Sequence, residues 1–242
     1  MLEDFHAQPA RDRVIVALDC DAATALCLAV QLRGHAKWLK VGMTLYYAEG
    51  PKIVQTLKQL GFNVFLDLKF HDIPHQVEGA AASAVLSGAD MLTMHAVGGS
   101  AMMAAGHRGA EAAAFERKVP VPATLAITVL TSMDAESLAA TGVSRALPEQ
   151  VSSLAAQARE AGLSGIVCSP QEASSMRELL GPDAFIVTPG VRPAGSAKGD
   201  QSRVATPAQA FENGASHIVV GRPITQAEDP VAAFEAIAAE LA

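Results

Sequence analysis

Asn63-Val-Phe-Leu-Asp-Leu-Lys-Phe-His-Asp-Ile-Pro74 reads as a buried strand ending in charge, and His75 to Ser87 behind it reads as a helix. From Val64 to Leu68 the apolar run is broken only by Asp67, as in strands covered on both faces. Pro74 opens the helix, because its missing N–H costs nothing in a first turn. Side chains two apart on a strand share a face, so Asp67 and Lys69 are expected to project into one pocket, with Asp72 following in the turn. Unpaired buried charge is costly, so such a cluster needs mutual neutralisation or a charged ligand. A strand-end salt bridge is the plainer reading of the same residues.

Working outward, the same unit recurs along the chain. Strands are predicted at Arg13 to Asp19, Trp38 to Gly42, Asn63 to Lys69, Met91 to Ala96, Ala123 to Val129, Gly165 to Ser169, Ala184 to Gly190 and His217 to Arg222. Helices are predicted at Ala22 to Leu32, Leu45 to Leu60, His75 to Ser87, Ser100 to Arg117, Pro148 to Ala161, Gln171 to Leu180, Pro207 to Glu212 and Pro230 to Leu241. Eight strand–helix units in 242 residues predict an α/β fold, a single-domain (β/α)8 TIM barrel over residues 1–242. An open doubly wound sheet is the alternative.

Half of the residues are hydrophobic, enough for a large core. The net charge of −7, with no lysine or arginine run, argues against nucleic acid and anionic membranes as partners. Any anion must therefore be held by a local site. Cys20, Cys27 and Cys168 are odd in number and lack CxxC spacing, which argues against a disulfide framework or zinc cluster. No apolar run approaches the ~20 residues of a membrane span, and Met1-Leu-Glu-Asp-Phe-His6 carries acids where a leader would be basic. The expected location is the cytoplasm.

Asp19, Lys40, Asp67, Lys69, His95, Thr128, Thr188 and Arg222 all fall at or near carboxyl ends of predicted strands, where a barrel assembles its active site. Strands seven and eight end in Thr188-Pro-Gly-Val-Arg192 and Val220-Gly-Arg222, and the loops after these strands form the usual phosphate site of such barrels. Glycine admits an oxyanion to the backbone and arginine supplies a forked donor, so the inferred ligand is a phosphate monoester. Arg222 capping a helix or pairing with a surface acid is the plainer option. The polar connection from Val191 to Thr206 reads as a lid or as a disordered loop.

Other chemistries find less support. Neither GxGxxG nor GxxxxGK[ST] occurs. His71 and His75 stand four apart, but Pro74 intervenes and no third ligand has suitable spacing for a metal. Lys69, flanked by acids, is expected to hold its proton and act as a donor, not as a Schiff-base amine.

The segments Ile15-Val-Ala-Leu-Asp19, Leu39-Lys-Val-Gly42, Phe65 to Pro74, Thr128-Val-Leu-Thr-Ser132, Thr188-Pro-Gly-Val-Arg-Pro193 and Ile218-Val-Val-Gly-Arg222 together carry a family resemblance over nearly the whole chain. The sequence resembles the bacterial orotidine 5'-phosphate decarboxylase family. Related sugar-phosphate enzymes share DxKxxD and use magnesium, but there Ala-Gly typically follows the second aspartate, where this chain has Ile73-Pro74.

The resemblance implies conversion of orotidine 5'-monophosphate to UMP and carbon dioxide, the last step of de novo pyrimidine nucleotide synthesis, with no metal or organic cofactor. It makes Lys40, Asp67, Lys69 and Asp72 a catalytic charge network in which Lys69 protonates C6. Asp19 and Lys40 would bind the ribose, Thr131 the pyrimidine edge, and Arg192, Gln201, Gly221 and Arg222 the phosphate. Asp67, Ile73, Gln76 and Pro189 complete the implied substrate contacts. Asp72 would reach the partner's site, so a homodimer is implied, and the 191–206 loop would close over the phosphate. Many relatives carry Asn-Thr after Asp-Ile-Pro; this chain has His75-Gln76, whose amide can still bond a ribose or phosphate oxygen. Two rivals remain at this level: a magnesium-dependent sugar-phosphate lyase on the same barrel, and a nucleotide sensor without turnover.

Overall fold

Each apolar run becomes a strand of one closed parallel ring in the computed structural model, which describes residues 4–193 and 205–241. Among these, the strands are β1 (Val14–Ala17), β2 (Trp38–Gly42), β3 (Asn63–Phe70), β4 (Met91–His95), β5 (Ala123–Ile127), β6 (Gly165–Val167), β7 (Phe185–Thr188) and β8 (His217–Val220). They pair in sequence order, and β8 returns to β1 through Val14 opposite Ile218. The barrel reading stands and the open sheet is set aside.

The helices are α1 (Ala22–Leu32), α2 (Met43–Glu49), α3 (Pro51–Gln59), α4 (Pro74–Ser87), α5 (Ser100–Arg117), α6 (Ala135–Ala140), α7 (Leu147–Glu160), α8 (Ala173–Leu180), α9 (Pro207–Glu212), α10 (Arg222–Thr225) and α11 (Pro230–Ala239). The single helix expected over Leu45 to Leu60 is instead two. Gly50 takes φ 64°, its amide closes α2 on the Tyr46 carbonyl, and Pro51 starts α3 afresh. Two short helices were not expected: α6, capped by the Asp134 carboxylate on the Ser137 amide, and α10.

Strand alternation sorts the core into two layers. Ile15, Ala17, Phe65, Met91, Leu125, Ile127, Val167, Val187 and Val219 fill the barrel, and the opposite faces pack under the helices. At the amino end Trp38, Phe185 and His217 close the interior, and Phe5 seals it from below, 5.2 Å from the Phe185 ring. Above His217 the inside is apolar up to the level of Phe65, and the polar side chains beyond it define the opposite end.

Candidate active site

A cavity of about 570 Å³ opens at the carboxyl end of the strands. Its floor is the top of the barrel packing: Ala17, Phe65, Ile127, Val167 and Val219. Its wall carries Asp19 after β1, Lys40 on β2, and Asp67 and Lys69 on β3. These four form an alternating chain. Lys40 Nζ donates to Asp19 Oδ1 at 2.8 Å and stands 3.6 Å from Asp67 Oδ2, which accepts from Lys69 Nζ at 2.8 Å. Within this chain of side chains the two acids balance the two lysines.

Burial by itself favours the neutral forms, but each buried member has opposite charges in reach. Burial pulls the Lys40 ammonium down, and Asp67 and Asp19 more than reverse this, leaving its pKa raised. Burial pushes the Asp67 carboxyl up, and Lys40 and Lys69 more than reverse it, leaving its pKa lowered. Both groups are held ionised.

Across the cavity stand Thr131 after β5, Pro189, Gly190 and Arg192 after β7, and Gly221 and Arg222 at the start of α10. Two glycines and two arginines lining one side of a cavity suit an oxyanion. Lining residues that the sequence did not single out are Cys20, Thr24, Leu130, Thr225 and Gln226. Thr225 and Gln226 follow the Gly-Arg motif by a single helical turn, a spacing that would have flagged them. Burial, with Asp21 and Asp19 nearby, raises the Cys20 thiol.

Other expected residues lie elsewhere. Thr128 and Thr188 follow the inward-facing Ile127 and Val187, so both turn away from the cavity; Thr128 donates to the Val167 carbonyl instead. His95 half-buries its ring 5.4 Å from His71, and burial, His71 and Lys69 lower its pKa. Asp72, Ile73 and Gln76 are exposed and do not line this cavity. The Asp72 carboxylate accepts from the Ile73 amide, and among the described residues the acid paired with Lys69 is Asp67. Gln201 and most of the 191–206 connection lie outside the described residues. Among the described residues no group of three or more His, Cys, Asp or Glu could hold a metal ion, and no helix is long and apolar enough to cross a membrane.

Fold and site together define a (β/α)8-barrel enzyme with an ionised acid–lysine chain facing an apolar floor and a basic rim. Residues 12–237 match the family described as orotidine 5'-phosphate decarboxylase / HUMPS family. The chain is 51% identical over 244 residues to the orotidine 5'-phosphate decarboxylase of Moorella thermoacetica, covering 99% of this chain and 96% of that one. It is 51% identical to that of Cutibacterium acnes, covering 93% and 94%. The crystal structure of orotidine 5'-phosphate decarboxylase from Lactobacillus acidophilus superposes with a TM-score of 0.83 at 39% identity, covering 95% and 99%. The chain belongs to the orotidine 5'-phosphate decarboxylase family, and by that membership it is an enzyme of the carboxy-lyase class.

Proposed function

We propose that this enzyme converts orotidine 5'-monophosphate to UMP and carbon dioxide, with Lys69 as the proton donor. The observation that carries the reading is the placement of Lys69 Nζ, 2.8 Å from an ionised, buried Asp67, over an apolar floor able to take a pyrimidine ring. In the reaction the bond from C6 to the carboxylate breaks and the electron pair stays on C6. Carbon dioxide leaves, the Lys69 ammonium gives its proton to C6, and the resulting amine is reprotonated from solvent. The carbanion lies in the ring plane with no adjacent π system to spread it, so a fixed cation nearby is the stabilisation available. This needs neither a metal nor an organic cofactor.

Asp19 and Lys40 bind the ribose hydroxyls, Thr131 and Pro189 border the base, and Arg192, Gly221 and Arg222 take the phosphate, with Gln201 joining as the 191–206 loop closes. Phosphate binding remote from C6 can then be expressed at the reacting carbon. Asp72, Ile73 and Gln76, exposed and outside this cavity, complete the partner's site in a homodimer, and Gln76 takes the place of the threonine of many relatives. The protein is a single barrel domain working in the cytoplasm at the last step of de novo pyrimidine synthesis. The test is the ultraviolet change on adding orotidine 5'-monophosphate to purified protein in excess EDTA. Conversion to UMP is expected; no conversion alongside tight UMP binding would refute the activity.

A further inference from the structure

The pairing of β3 with β4 is irregular where the reactive charges stand. Phe65 lies opposite Met91 and Leu66 opposite Leu92, but the next pair is Phe70 with Met94. Asp67, Leu68 and Lys69 therefore face the single residue Thr93, and β3 bulges there. Bulges re-aim side chains and give up ladder hydrogen bonds. Lys69, the last bulged residue, has φ 54°, a left-handed conformation that non-glycine residues adopt only where their surroundings hold them.

The Thr93 side chain supplies what the ladder lost. Thr93 is fully buried. Its Oγ1 accepts from the Lys69 backbone amide at 2.9 Å and donates to Asp67 Oδ1 at 3.0 Å. A hydroxyl has one proton and a carboxylate can only accept, so the direction of both bonds is fixed. With Oδ1 held by Thr93, Asp67 turns Oδ2 toward Lys69 Nζ and Lys40 Nζ.

We infer that Thr93 is a positioning residue for the decarboxylation, its hydroxyl setting both the backbone of Lys69 and the rotation of the Asp67 carboxylate. The inference deepens the reading of Lys69 as proton donor and rests on it. Thr93 does not line the cavity, so it acts through these two residues. Without the hydroxyl, the strained Lys69 backbone loses its acceptor and the ammonium drifts from C6. A displacement on the order of 1 Å costs roughly 10²-fold in rate, and phosphate-end binding has no reason to change with it.

The test compares Thr93→Val, Thr93→Ala, Thr93→Ser and Lys69→Ala with the unaltered enzyme, measuring kcat on orotidine 5'-monophosphate, Kd for UMP, and thermal unfolding. Val and Ala are expected to lower kcat on the order of 10- to 100-fold with UMP affinity within about threefold, while Ser recovers to within about threefold of the original rate. Should Thr93→Val fail to fold, the Ala and Ser pair carries the same comparison. Undiminished kcat in the hydroxyl-free variants overturns the inference, as does a Ser variant as slow as Ala, which would assign the effect to shape. If Lys69→Ala is inactive while Val and Ala turn over normally, only the role of Thr93 falls. If Lys69→Ala keeps the full rate, the proton-donor reading falls and the role of Thr93 with it.

Discussion

Asp67 Oδ2 stands 2.8 Å from Lys69 Nζ and 3.6 Å from Lys40 Nζ, one carboxylate oxygen between two ammonium groups. Asp67→Asn keeps the shape and removes the charge that holds both. Lys40 keeps Asp19, so the stability loss should be about 1–3 kcal/mol, below the range for orphaning a fully buried ion. Catalysis should suffer more: kcat/KM is expected to fall by at least about 100-fold, since the preorganised cation loses its anchor. Steady-state kinetics beside thermal unfolding separates the two effects.

Gly42 lies against the Asp19 end of the same chain of charges. A Cβ there would sit 2.9 Å from Asp19 Oδ1 and 3.1 Å from Lys40 Nζ, although its backbone φ of −90° suits any residue. Gly42→Ala should therefore fold normally and disturb the Asp19–Lys40 pair. A rise in KM of roughly 3- to 30-fold, corresponding to about 0.6–2 kcal/mol, is expected with little change in unfolding temperature.

Arg222 is assigned to the phosphate, and an unphosphorylated ligand tests that directly. Arg222→Ala should weaken UMP binding by about 10- to 100-fold, the loss of a charge-assisted contact, while leaving uridine binding within about threefold. Calorimetry with both ligands gives the answer. Equal losses for the two would place Arg222 elsewhere in the site.

His217, fully buried among Phe5, Trp38 and Phe185 at the barrel floor, titrates far from the active site. Burial, with Arg13 and Lys37 nearby, lowers its pKa from 6.5 to about 3. The unfolded chain then binds a proton below pH 6.5 that the folded chain refuses down to about pH 3, so stability falls as pH drops through that window and is level above it. Between pH 7 and pH 5 this single group should cost about 2 kcal/mol. Denaturant unfolding of the unaltered protein and of His217→Phe at both pH values measures it; the variant's pH slope should be shallower by that amount.

Much of this was legible in the sequence, for physical reasons. Strands buried on both faces leave long apolar runs, so all eight were readable, with ends off by one or two residues. The Gly50-Pro51 break was present in the sequence but hidden by the continuous helical periodicity around it. Thr128 and Thr188 were assigned to the site by their position along the strand, and side-chain parity sends them the other way. Thr93 was illegible, because its role depends on a register shift between β3 and β4 that no local pattern records. Asp72 looked like a neighbour of Lys69 from spacing alone. β3 ends at Phe70, and Asp72 lies exposed beyond it with its carboxylate on the Ile73 amide.

The most direct test of the central claim is the turnover of Lys69→Ala on orotidine 5'-monophosphate, beside its affinity for UMP. A fall in kcat of at least about 10³-fold with UMP binding retained is predicted for the loss of both the stabilising cation and the proton donor. A variant that binds UMP and still releases carbon dioxide within about tenfold of the original rate would contradict the role of Lys69.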